Sequence, residues 1–298
     1  MKSSPIMPSL RIEQLAMHTA GILLLSSGLI HTLVWLSLGG SLDGDISWRK
    51  PILFGFSTGA TMLSLGWVTG KLARRKGDAL LLSGFSIVML TEVFLITLQQ
   101  WRGVPSHFNR ATPLDATILF WIEGLIVFAT IVIAYLTWRC FGKLAGSDAM
   151  RLSIRSGMAM LLFACLLGFL IVAIGNQQLQ SGKNPGVFGA AGVMKFPHGM
   201  PIHAIQYFPL LVWILHKFGV APASRLRTVK FAVASVSLFT VFSLLQTFTG
   251  RARFDVTLLS GEILAASIAL LCIPAWKICC AIFRHVLPSP VANLTSRQ

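Results

Sequence analysis

The chain has 298 residues, 54% of them hydrophobic and 12% charged, against about 25% charged in ordinary soluble domains. Its 25 Lys and Arg outnumber 10 Asp and Glu, for a net charge of +15. Hydrophobic blocks near twenty residues long exclude a soluble domain, and their continuity excludes the alternation of barrel strands. The expected fold is all-α, a polytopic membrane helix bundle that forms one integral membrane domain over 1–298.

Eight spans are predicted in chain order. The first, 14–38, follows a short basic start and competes with a signal peptide. It continues through His18, His31 and Trp35 with no small-residue cleavage site, so it is read as a retained helix. The second, 51–73, opens on "WRKPILFG", with Pro51 in the first helical turn. The third, 79–100, carries Glu92 and Gln99. "WRGVPSHFNRATPLD", 101–115, then packs two arginines, a histidine, an asparagine and an aspartate into one connection. The fourth span, 114–138, carries Glu123, and the fifth runs over 152–175. The longest connection, 177–200, contains "NPGVFGAAG", which suits a plain loop, a flexible lid or a re-entrant segment. "KFPHGMPIHAIQ" marks the return into a sixth span, 201–219, with His203, Gln206 and Tyr207. The seventh is 229–248, and the eighth, 256–283, carries Glu262.

Alternate connections and the two termini hold seventeen of the 25 basic residues, which makes that side cytoplasmic and places both termini there. Topology and anionic lipid headgroups account for the positive charge, so the bilayer is the expected partner and nucleic acid is not. The other eight, Arg49, Lys50, Arg102, Arg110, Lys183, Lys195, Arg251 and Arg253, lie outside beside Asp43, Asp45, Asp115, Asp255, His107 and His198. The five cysteines form no Cys-x-x-Cys pair and suggest neither a disulfide framework nor a zinc site.

An ionisable side chain at the centre of a membrane helix costs about 2.5–3.5 kcal/mol. Glu92, Glu123 and Glu262 each fall about two turns inside the outer end of a span. A lone buried Glu or His can be a hydrogen-bonded structural residue, but several at one depth point to an outward-facing polar pocket. The expected ligand-binding set is Arg49, Lys50, Glu92, Gln99, Arg102, His107, Asn109, Glu123, His203, Gln206 and Glu262. Arg102, above the face that carries Glu92 and Gln99, is its expected centre. Asp115 and Asp255 read as caps at helix starts.

"LDATILFWIEG" and "FDVTLLSGEIL" both begin apolar-Asp-x-Thr, and each follows a Gln and a basic turn. They suggest a four-plus-four repeat with both halves in one orientation, although capping alone also produces such matches.

"WRKPILFGFSTG", "QQWRGVPSHFNRATPLD" and the paired histidines of "HGMPIHAIQ" resemble motifs of a group of uncharacterised bacterial multi-pass inner-membrane proteins. The resemblance covers most of 48–210. It implies a helical bundle in a bacterial cytoplasmic membrane and carries no assigned activity.

Three functions compete. One is binding or transport of a small anionic ligand, with the glutamates as a proton relay. A second is redox chemistry on haem or a transition metal, with His31, His198 and His203 as ligands. Against it, Glu-x-x-His pairs are absent, and the step from His198 to His203 does not share a face on a straight helix. The third, an enzyme acting on lipid headgroups, would need a nucleophile and base, for which the sequence offers only adjacent Ser106 and His107. No phosphate loop, dinucleotide fingerprint, zinc-protease helix or nucleophile elbow is present.

Overall fold

A computed structural model describes residues 10–286; Lys2 and Arg297, counted above with the basic termini, lie outside them. In chain order the elements are α1 (Ile12–Leu38), α2 (Arg49–Thr69), α3 (Asp78–Trp101), α4 (Pro113–Phe141) and α5 (Asp148–Gln180). A short hairpin follows, β1 (Val187–Phe188) with β2 (Gly192–Val193), and then α6 (Lys195–Gly199), α7 (Ala204–Lys217), α8 (Pro222–Phe248) and α9 (Leu258–Val286). Among the described residues seven helices, all but α6 and α7, are long and apolar enough to cross a bilayer. The chain is a multi-pass helical membrane protein.

The sixth predicted span is the exception. Gly199 and Pro201 interrupt it, and α7 begins only at Ala204 and runs 14 residues. That is about 21 Å of helix, short of the roughly 30 Å hydrocarbon core.

The chain divides after Leu144 into two compact units. In unit 1, α1 to α4 run alternately up and down. Glycines let α1 and α2 close on each other: a Cβ on Gly55 would stand 2.7 Å from the backbone of Gly28, and one on Gly59 would stand 2.9 Å from the Gly21 carbonyl oxygen. This is the small-residue packing that brings helices together in lipid, where apolar surface alone gives no drive.

Helices α3 and α4 are pinned at both ends. Arg139, near the end of α4, donates from Nη1 to Asp78 Oδ1 at the start of α3, 2.7 Å away, and from Nη2 to the Ala73 carbonyl. At the opposite end Arg102, just past α3, donates to Asp115 Oδ1 in the first turn of α4, also at 2.7 Å. Each aspartate sits at the positive end of a helix dipole and each arginine at a negative end, so pairing and dipole act together. We call the Asp78–Arg139 end of unit 1 its near end, and the Arg102–Asp115 end its far end.

Unit 2 comprises α5 to α9. Phe208, Leu211 and Leu215 of α7 pack with Ala149 of α5 and with Val229 and Ala232 of α8. Across α8 and α9, the Ser235 hydroxyl donates to the Ser267 carbonyl at 2.8 Å and the Ser267 hydroxyl donates back to Ser235 at 2.9 Å. Both serines are small enough to let the backbones approach and polar enough to bind them there.

Candidate functional site

The far end of unit 1 carries the polar stretch 101–115. Asp115 is saturated: Oδ1 accepts from Arg102 at 2.7 Å and Gln99 Nε2 at 3.2 Å, and Oδ2 accepts from the Thr112 hydroxyl at 2.7 Å. Arg102 also donates to Gln99 Oε1. Thr112 caps α4 by accepting from the Asp115 amide at 3.1 Å, as a side-chain oxygen at this position should. Within the turn, the Ser106 hydroxyl lies 2.9 Å from His107 Nδ1. The His107 ring stacks on Phe54 with centroids 6.1 Å apart. Asn109 spans the bend, donating to the Pro105 carbonyl at 3.2 Å and accepting from the Ala111 amide at 3.1 Å. Between them Phe108 is held at φ 58°, a left-handed conformation that costs a non-glycine residue about 1–2 kcal/mol.

Beside this turn His31 has both ring nitrogens engaged. Trp101 Nε1, a donor only, points at His31 Nε2 from 3.1 Å, so Nε2 must be the acceptor and Nδ1 carries the proton, donated to the Ser27 carbonyl at 2.7 Å. Trp48 packs edge-on to Trp101, with centroids 5.2 Å apart.

The other basic residues predicted here also meet oxygen. Arg49 pairs with Asp43 at 3.4 Å, Arg110 with Glu123 at 3.8 Å, and buried Lys50 donates to the Asp45 carbonyl. Glu92 differs. It is 4% exposed on the inward stripe of α3, and among the described residues it has no hydrogen-bond or ion-pair partner. Asp255 is not a cap: it precedes α9 and pairs with Arg251 at 3.1 Å, while the Thr257 hydroxyl accepts the Ser260 amide at 3.2 Å. Glu262, in the second turn of α9, is exposed.

Unit 2 holds a second polar locus where the helix is broken. From the end of α5 the chain turns back and runs down beside it. Gln178 Nε2 donates to the Val187 carbonyl at 2.7 Å, the Ala191 amide to Gly250 at 2.9 Å and the Thr247 hydroxyl to Val193 at 3.1 Å. Lower down, Phe196 meets Phe239 and Phe242 of α8 edge-on, near 6 Å. His198 then donates from Nδ1 to the Ala164 carbonyl at 2.7 Å. Ala164 is the middle residue of the 33-residue α5, about 24 Å along the axis from Gln180. A Cβ on Gly168, one turn further along α5, would stand 3.6 Å from the imidazole, an ordinary packing contact.

Residues 200–203 form the break, after which α7 starts with His203 as N-cap and Gln206 and Tyr207 in its first turn. A Cβ on Gly157 would stand 2.7 Å from Ile205 Cα, which fixes that start against α5 below Ala164.

Within unit 1, then, Gln99 and Arg102 join one network, with His107, Asn109, Arg49, Lys50 and Glu123 around the same end; within unit 2, His198, His203 and Gln206 gather around one helix break. Asp78, Thr112 and Arg139 escaped the sequence reading. A signal for the ion pairs was present, since Asp78 to Arg102 and Asp115 to Arg139 are both 24 residues. Among the described residues no group of three His, Cys, Asp or Glu side chains is arranged to hold a metal ion.

Compared with known proteins, the chain matches no family model, and no curated protein or solved structure is significantly similar to it.

Proposed function

We propose that this is a bacterial inner-membrane protein, termini in the cytoplasm, that binds and moves a small anionic ligand at the helix break of unit 2. The observation that carries this reading is the His198–Ala164 hydrogen bond, because it holds the single turn of α6, and with it the start of the non-helical stretch 200–203, at the level of the middle of α5. Irregular backbone is tolerated at membrane depth only where protein buries it or where it lines an aqueous cavity. Interrupted helices of this kind form the substrate sites of many transporters, with the positive end of the half-helix turned toward an anionic group. His203, Gln206 and Tyr207 in the first turn of α7 supply polar side chains there. The far end of unit 1 is a weaker seat for an anion, since Arg49, Arg102 and Arg110 each have a carboxylate partner.

In vesicles containing the purified protein, at least one of chloride, acetate, lactate and phosphate should show saturable uptake. His203→Ala should reduce that uptake at least about tenfold, the equivalent of 1.4 kcal/mol, with an unchanged melting temperature. No uptake of any of the four, or full uptake by the variant, removes this reading.

One observation favours haem or a transition metal instead. With Nδ1 donated to a backbone carbonyl, His198 Nε2 carries the lone pair, the arrangement typical of metal-ligating histidines. An absorption spectrum and metal analysis of the purified protein separate this from the transport reading.

A further inference from the structure

The two ends of unit 1 differ in charge balance. At the far end Arg49, Lys50, Arg102 and Arg110 face Asp43, Asp45, Asp115 and Glu123, four against four. The described part of the near end holds seven cations, Arg11, Lys71, Arg74, Arg75, Lys76, Arg139 and Lys143, and two acids, Glu13 and Asp78. Both acids are already used, Glu13 by Arg74 at 3.2 Å and Asp78 by Arg139.

Two of the remaining cations have aromatic partners. Lys71 Nζ lies 5.2 Å from the centre of the Trp67 ring, and the Arg75 guanidinium lies 5.1 Å from that of Trp138. Neither has a carboxylate partner among the described residues. The rings are not core: Trp67 is 36% exposed and Trp138 63%. The Leu72–Leu144 bridge holds the 71–76 loop against the end of α4, so both pairs belong to one rim. Unit 2 repeats the pairing of a cation with an indole, with Lys217 Nζ 5.3 Å from the Trp213 ring.

We propose that the near end of unit 1 is a seat for anionic phospholipid headgroups, in which Trp67 and Trp138 rest at the glycerol level and Lys71 and Arg75 bind the phosphates. Exposed indole rings at helix ends settle at the lipid–water boundary. A cation held over such a ring stands where a phosphodiester lies, and without a carboxylate its charge is left for the lipid. The ring also limits the cation's freedom before the lipid arrives, so less ordering is needed on binding. Charge complementarity selects an anionic headgroup over a zwitterionic one. The inference is independent of the transport reading.

The test is native mass spectrometry of the intact protein released from micelles containing equal phosphatidylglycerol and phosphatidylcholine. Wild type should retain phosphatidylglycerol preferentially. Lys71→Gln with Arg75→Gln should lower that retention about fivefold for each cation removed, while the lipid-free melting temperature stays that of wild type. Arg151→Gln, which removes a cation already paired with Asp148, should leave retention unchanged. Equal retention of both lipids, an unaffected double variant, or an equal loss in the Arg151 variant overturns the proposal. So does displacement of the lipid by millimolar inorganic phosphate, which would make free phosphate the ligand.

Discussion

Asp115 takes three side-chain donors on two oxygens in a nearly closed site, and its main partner Arg102 is itself held by Gln99. Removing one member of such a pair leaves a buried charge uncompensated and costs about 3 kcal/mol, whereas removing both costs much less than the sum. Arg102→Ala and Asp115→Ala should therefore each lower the unfolding free energy, and the double variant should fall no further than the worse single one. Strictly additive losses in thermal or denaturant unfolding would show that the pair is not coupled. The sequence placed Arg102 above the face of Glu92 and Gln99, and Gln99 is indeed a partner. What it left unassigned was the pairing of Arg102 with Asp115, because the 101–115 stretch must fold back before the two come near.

Hydropathy places the long helices closely: 79–100 was expected for Asp78–Trp101, and 114–138 for Pro113–Phe141. Length and apolarity are properties of one segment and can be read along the chain. Gly199 and Pro201 mark the helix break at 200–203 within the segment itself, whereas the place where the returning chain docks on α5 is recorded by no single segment. Close packing is similarly a property of pairs. Gly55 and Gly84 are both glycines within membrane helices, yet a Cβ on Gly55 meets the backbone of Gly28 while one on Gly84 meets nothing within 4 Å. Gly55→Leu should drive α1 and α2 apart and lower stability by more than about 3 kcal/mol, in excess of ordinary overpacking because backbone must move. Gly84→Leu should be neutral or mildly stabilising, since the helix gains a better former. Melting temperatures of the two purified variants make the comparison, and equal effects would contradict the seam.

For the whole molecule, the proposed orientation rests on the asymmetric distribution of cations. Reporter fusions after Lys76, Lys143 and Arg227 should read cytoplasmic, and those after Pro105 and Lys183 external; the reversed pattern would sink the orientation. The two Asp-to-Arg spacings bear on the bilayer itself. Twenty-four residues of helix measure about 36 Å, a little more than the hydrocarbon core, so α3 and α4 act as the two sides of a caliper riveted at both jaws. Neither helix can slide along the other to suit a thicker or thinner membrane without breaking an ion pair. Around this hairpin the lipid must do the adjusting, stretching or thinning to meet a height that the protein has already set.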